Sequence, residues 1–295
     1  MICSKGIYAT TFETRIIMIN ILFCGNYKIF DGILTSSLSL VKRTQTKEPF
    51  KIFIYTMDLT DLNENYKPLS DKQISYLQEV LKTYNPQNCV EKIDVTEIYN
   101  KEFRSSPNEK CYCSPYTLLR LFADLIPQMP EKFLYLDADV LANKDITLLY
   151  NIDVSQVEYA AANDHYGKYL INPRYVNAGV LLFNLTKCKQ TDLFQKARTL
   201  IKTKKLVFAD QSAIIRSTTK KKLLPQRFND QKFLHSWTVI RHFSQRLFYF
   251  PYPHVANIKQ WDVTNVHKIF RYFQFDDILF EYIYLIKKFK RENND

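Results

Sequence analysis

Short apolar runs alternate with longer amphipathic stretches through the first two thirds of the chain. Met18–Cys24 is followed by Phe30–Lys42, Lys51–Met57 by Ser70–Tyr84, and Val90–Val95 by Pro115–Ile126, and Phe133–Asp137 then closes the series. The runs have strand length and the stretches have helical length, the pattern left by βαβ units that feed a parallel sheet. The predicted fold class is α/β, with a mostly parallel central sheet flanked by helices. Ligands of such sheets bind at the carboxyl ends of the strands.

The rhythm loosens past Asp139. Strands are predicted at Tyr159–Ala162, Tyr175–Leu185 and Thr238–Phe243, and helices near 186–204 and at Ala209–Ser217. A stretch rich in proline and aromatic residues, Phe248 to Trp261, precedes two amphipathic helices, roughly 264–273 and 276–290, which read as a C-terminal appendage. Met1 to Arg15 is unpatterned and lacks the basic-then-apolar layout of a signal peptide. The expected division is an extension outside the fold at 1–17, a main domain at 18–262, and basic amphipathic helices at 263–295. Met18, just before the first strand, is a candidate natural start.

Composition narrows the choice of partner. With 46% hydrophobic and 15% aromatic residues, 295 residues suffice for a substantial core. Only 5 glycines argue against a glycine-rich phosphate loop, so any phosphate needs another binder. A net charge of +11 favours an anionic partner: a nucleotide, a phosphorylated lipid, a membrane surface or nucleic acid. The excess gathers at Lys202/Lys204/Lys205, at Lys220–Lys222 and at Lys287/Lys288/Lys290/Arg291, each of which alone reads as a solvated face. The 6 cysteines include one close pair, Cys111-x-Cys113, and no second pair at zinc spacing; reduced thiols of a cytoplasmic protein are expected. No run approaches the ~18 apolar residues of a membrane span, and the nearest, Ile278 to Ile286, is broken by Glu281.

Four segments carry candidate chemistry. Phe133-Leu134-Tyr135-Leu136 is a buried-strand signal that ends in Asp137-Ala138-Asp139. Alternate residues of extended chain point the same way, so both carboxylates can converge on one hard divalent cation that bridges phosphate oxygens. In Tyr175–Asn184, Asn177-Ala178-Gly179 opens an apolar strand; the glycine admits a ligand to the backbone, and the Asn177 amide both donates and accepts. An ordinary bulge is the competing reading. Ala209-Asp210-Gln211-Ser212 opens a helix with groups suited to hydroxyls, or with Asp210 as a plain cap. His242, ending a strand, offers a third metal ligand or a structural imidazole. A ligand set of two carboxylates and an imidazole favours Mn²⁺, with Mg²⁺ a substitute.

Together, in this order and spacing from Asn20 to Trp261, the four segments resemble the family-8 glycosyltransferases, the group of bacterial lipopolysaccharide galactosyltransferases and glycogenin. The resemblance implies a Rossmann-like GT-A fold, a UDP-hexose donor, Mn²⁺ and retention of anomeric configuration. It implies Asp137, Asp139 and His242 as metal ligands, with Asp137 also near the ribose. It places Arg120, Asp164, Asn177 and Ala178 on the donor, Asp210 and Gln211 along its sugar, and Gln211 nearest the anomeric carbon. No nucleophile is evident, so it implies a same-face mechanism in which the departing phosphate accepts the acceptor's proton. The bacterial branch implies a cell-surface glycan or lipid-linked acceptor, polysaccharide biosynthesis, and a place at the inner face of the membrane.

The chain departs from that family in two places. After the first strand it reads Cys24-Gly25-Asn26-Tyr27, which leaves Asn26 rather than an acid for the uracil. The His-x-x-Gly-x-x-Lys segment becomes His242-Phe243-Ser244-Gln245-Arg246-Leu247-Phe248, and the resemblance then leaves Arg246 or Lys259 as candidates for the phosphate cation. These losses keep a second reading open, a binding protein of the same fold without turnover. A nucleic-acid partner rests on charge alone, and no nucleic-acid module is recognisable. Ile278, Tyr282, Leu285 and Phe289 share one face of the last helix beside Lys287, Lys288, Lys290 and Arg291, a layout for lying on anionic lipid or for packing on the domain.

Overall fold

The computed structural model of the chain describes residues 18–109, 114–249 and 252–293. The extension expected at 1–17 and the Cys111/Cys113 pair lie outside the described residues. In chain order the elements are β1 (Ile19–Cys24), α1 (Phe30–Arg43), β2 (Phe50–Thr56), α2 (Asp71–Tyr84), β3 (Cys89–Asp94), α3 (Thr96–Phe103), β4 (Lys132–Leu136), β5 (Val140–Ala142), α4 (Thr147–Tyr150), β6 (Tyr159–Ala162) and α5 (Gly167–Leu170). They continue with β7 (Val180–Asn184), α6 (Leu185–Gln190), α7 (Leu193–Thr203), α8 (Ala209–Ser217), β8 (Lys221–Leu224), β9 (Ile240–His242), β10 (Arg246–Phe248), β11 (His254–Ala256), α9 (Val263–Asn265) and α10 (Asp276–Asn293).

Seven strands form the central sheet in the order β3-β2-β1-β4-β7-β6-β8. β1, β2, β4, β6 and β7 bury both faces, which is why they read as apolar runs, whereas the outer strands β3 and β8 are only partly buried. Ile19, Ile21, Phe23, Ile52 and Ile54 point into the layer that holds α1, α2 and α10. Leu22, Phe53, Tyr55, Phe133 and Tyr135 point into the other, with α7, α8 and the 3-10 helix Pro115–Leu125.

One strand runs against the rest, and it assembles the site. β7 is antiparallel to both β4 and β6, whereas β1 lies parallel to β2 and β4, and β6 parallel to β8. The reversal carries the residues before β7 to the carboxyl end of β4. Leu136 sits opposite Val180, and the Asp137 N–H donates to the Gly179 carbonyl at 2.8 Å. The residues after β6 arrive at the same edge through the bridge between Asn163 and Val176. β5 leaves the main sheet at once to pair with β9, which sets Val140 opposite His242.

Several predicted elements take another form. Pro115–Ile126 is wound as a 3-10 helix ending at Leu125, and Asp192, at φ 57°, divides the helix expected near 186–204 into α6 and α7. Tyr175–Gly179 are not strand, since only Val176 forms a bridge there. The helix expected at 264–273 is α9 followed by a π turn, Val266–Phe270, which Arg271 ends at φ 55°. The Lys220–Lys222 clump runs into β8, and the aromatic stretch around Phe248 forms the β10–β11 hairpin.

The appendage is part of the core. Ile278, Tyr282 and Phe289, the face that could have met lipid, are buried; Phe289 packs at 5.3 Å from Phe30 and 4.9 Å from Tyr76 between ring centroids. Arg43 and Lys42 on α1 pair with Asp277 and Glu281 on α10. Of the two readings of this helix, packing on the domain is the one realised, because its apolar stripe is spent there. No helix among the described residues is long and apolar enough to cross a membrane.

Candidate active site

Asp137 is the first residue past β4, and its side chain is held on one side only. Its Oδ1 accepts from the Tyr135 hydroxyl at 2.6 Å and from Arg120 Nη2 at 3.1 Å. Its Oδ2 faces His242, 3.8 Å from Nε2. Asp139 lies 3.1 Å from the same nitrogen through Oδ1, a buried atom with no hydrogen-bond partner among the described residues. Its Oδ2 is paired with Lys259 Nζ. Burial works to raise the Asp139 carboxyl, but Lys259 and His242 outweigh it and hold it well below the usual range.

The tautomer of His242 follows from a chain of amides. Asp164, a carboxylate, can only accept, so Asn177 gives it the Nδ2 donor at 3.0 Å. The Asn177 oxygen then accepts from Gly179 N at 3.0 Å and from Asn229 Nδ2 at 2.9 Å. That leaves the Asn229 oxygen facing His242 Nδ1 at 3.0 Å, where it can only accept. A proton therefore sits on Nδ1, and Nε2 is the ring nitrogen turned towards the two aspartates.

Arg120 is 2% exposed and fully engaged. Nε donates to the Thr117 carbonyl at 3.0 Å and lies 3.3 Å from Asp210 Oδ2, Nη1 donates to the Ala178 carbonyl at 2.5 Å, and the guanidinium lies 3.8 Å over the Tyr135 ring. It thus ties Asp137, Ala178 and Asp210 together. Burial lifts the Asp210 carboxyl above its ordinary value against the pull of Arg120. Gln211 joins the group by accepting from Ala178 N at 2.9 Å through Oε1.

The structure thus brings together Arg120, Asp137, Asp139, Asp164, Asn177, Ala178, Asp210, Gln211, His242 and Lys259. Asn26 follows β1 at the same edge of the sheet, but its amide is used by its own loop, accepting from Lys28 N and donating to the Asn65 carbonyl, both at 3.2 Å. Arg246 is carried elsewhere: on β10 it lies over Phe233 and Phe248 and donates to the Lys232 carbonyl. Of the two cations offered for phosphate, Lys259 is the one at the aspartates. Sequence reasoning missed Asn229, a loop asparagine after a hidden strand, and Gln260, whose Nε2 donates to the Ala138 carbonyl at 2.7 Å.

These residues fit a divalent cation. One ligand atom each from Asp137, Asp139 and His242 lies within 4.8 Å of the others, and one of them, Asp139 Oδ1, is buried and unsatisfied. Gly179 leaves the space beside them open: a Cβ there would lie 2.4 Å from His242 Cε1 and 2.7 Å from Asp137 Oδ2.

Known proteins resemble this chain in sequence and in fold. A glycosyltransferase of Haemophilus influenzae is 29% identical over 188 residues, 60% of this chain and 52% of that protein. Glycosyltransferase GlyA of Streptococcus pneumoniae is 29% identical over 180 residues, 60% of this chain and 22% of its own length. The chain therefore spans about half of one relative and a fifth of the other. The galactosyltransferase LgtC, solved with donor and acceptor sugar analogues, superposes with a TM-score of 0.63 at 18% identity over 89% of this chain and 96% of its own, which shows the GT-A fold. Residues 20–238 match the model of one family, and on that match the chain belongs to glycosyl transferase family 8.

Proposed function

We propose that the protein is a metal-dependent, retaining hexosyltransferase that moves galactose or glucose from a UDP-sugar to a cell-surface glycan or glycolipid precursor. The observation that carries this reading is the convergence of Asp137, Asp139 and His242 Nε2, with Asp139 Oδ1 buried among them. Mn²⁺ suits that donor set, with Mg²⁺ an alternative, and would supply positive charge to the leaving diphosphate. Lys259 exchanges Asp139 for a phosphate oxygen as the donor enters. Asp164, Asn177 and Gln211 receive the hexose hydroxyls. Because Gln211 Oε1 is held by the Ala178 amide, what Gln211 offers a ligand is its NH₂ donor.

Retention then proceeds on one face. Asp210 is paired with Arg120, and Asp164 with Asn177 and two backbone amides, so neither carboxylate is offered as a nucleophile. The departing phosphate oxygen accepts the proton of the incoming hydroxyl. Lys287, Lys290 and Arg291 are exposed at the end of α10, which supports contact with an anionic membrane surface by charge, from the cytoplasmic side.

The test is Mn²⁺-dependent turnover of UDP-galactose and UDP-glucose. Asp139→Ala should lower it by about a hundredfold or more while the thermal melt stays cooperative. Unchanged turnover removes the metal assignment. A second reading, binding without turnover, is motivated by Lys259 standing against Asp139. Calorimetry showing UDP binding with no hydrolysis of any UDP-sugar tried would favour it.

A further inference from the structure

The hairpin β10–β11 fills the interval between His242 and Lys259, and it closes a pocket of roughly 390 Å³ against the loop that follows β6. The pocket adjoins the donor site. Tyr166 lies two residues past Asp164, and Lys232 three residues past Asn229; His165 N donates to Gln231 Oε1 at 3.0 Å, which ties the two loops together. Its walls are the rings of His165, Tyr166, Phe233, Phe248 and Tyr249.

Two cations are set among these rings with no carboxylate in ion-pair contact among the described residues. Lys232 is only 5% exposed; its Nζ donates to the Gln245 carbonyl at 3.0 Å and lies 4.4 Å over Tyr166. The Arg246 guanidinium lies 4.7 Å over Phe233 and 4.9 Å over Phe248. Neither forms an ion pair among the described residues. The nearby carboxylates are committed elsewhere, Asp230 to His235, Thr238 and Gln226, and Asp164 to Asn177 and its own loop. Burial, with Arg241 and Arg246 adding to it against Asp164, pushes the Lys232 ammonium down to about 8. Crowding like charge into a half-dry pocket is unfavourable until an anion enters it.

We propose that this pocket binds the acidic group of the acceptor, a phosphate monoester or a carboxylate carried near the hydroxyl that receives the hexose. The inference rests on the transferase reading and adds to it the chemical class of the second substrate. The aromatic rings take the faces of the acceptor sugar, and Lys232 and Arg246 take its anion by charge-assisted hydrogen bonds.

The test is calorimetry on the full chain saturated with Mn²⁺ and UDP, so that the metal and diphosphate positions are filled. Glucose, glucose 6-phosphate and glucuronate are titrated in turn. At least one acidic sugar should bind about tenfold more tightly than glucose, and which of the two does so separates phosphate from carboxylate. Arg246→Gln should abolish that preference, and Arg246→Lys should keep most of it. Equal affinity for all three sugars, or a preference that survives Arg246→Gln, overturns the inference. If Mn²⁺ and UDP do not bind at all, it is the transferase reading that fails, and the same titrations on the free protein still decide the pocket.

Discussion

Asn229 decides which nitrogen of His242 faces the aspartates. Removing it in Asn229→Ala should lower Mn²⁺ affinity by about ten- to a hundredfold, read by calorimetry, with little change in melting temperature. Unaltered affinity would mean that the ring is oriented by its strand alone. Lys232 makes a second prediction, on pH. Its folded value of about 8 lies below the ordinary 10.5, so the folded chain gives up this proton first. The destabilisation it causes is complete below about pH 8 and lifts as pH rises towards the unfolded value. The charges facing it are Asp164, Arg241, Arg246 and His165. Lys232→Met should therefore raise the melting temperature, relative to the parent, more at pH 7 than at pH 9.5; an offset independent of pH would contradict this. At this scale, Asp137 and Asp139 stood out because two carboxylates at spacing two followed an apolar strand, whereas His242, a lone imidazole ending a strand, was joined to them by the family resemblance. Asn229 was not, since an asparagine in a loop carries no periodic signal. Arg120 was named through the resemblance alone, since its burial between Asp137 and Asp210 depends on contacts distant in sequence.

Among the elements, α1 and β4 meet at a backbone contact that supports the aspartates. Gly32 on α1 faces the loop between them: a Cβ there would lie 2.6 Å from the Ala138 carbonyl oxygen and 2.6 Å from the Trp261 ring. The carbonyl belongs to the backbone and cannot rotate away. Gly32→Ala should cost roughly 1–3 kcal/mol in urea denaturation and also weaken Mn²⁺ binding, because the displaced residue sits between Asp137 and Asp139. A loss of stability with intact metal affinity would show that the loop absorbs the shift. The alternation of runs revealed β1, β2, β4 and the helices between them, since burial on both faces gives a strong apolar signal. It concealed β5 and β10–β11, which are three residues each, and β8, whose lysines read as a solvated run. The antiparallel turn of β7 was equally unreadable, although that reversal is what delivers Asn177 and Gly179 to the aspartates.

In the molecule as a whole, α10 completes one of the two core layers from outside the sheet. Its Phe289 ring is 8% exposed between Phe30 and Tyr76, and the Tyr76 hydroxyl donates to the Leu285 carbonyl at 2.7 Å. Phe289→Ala should lower the unfolding free energy by about 3 kcal/mol, measured by chemical denaturation, without altering the affinity for Mn²⁺, since the site lies at the edge of the sheet. A change in metal affinity would reveal that α10 also sets the position of α1. The opposite margin of the sheet carries a different consequence. Among the described residues β8 pairs only with β6, so its far side presents an edge of N–H and C=O groups, the kind of border onto which another chain can add a strand and start a fibre. Lys221 and Lys222 line that border, with Lys220 just before it. Part of the net charge of +11 therefore lies where two copies of the protein would meet edge to edge, and like charge there opposes such pairing.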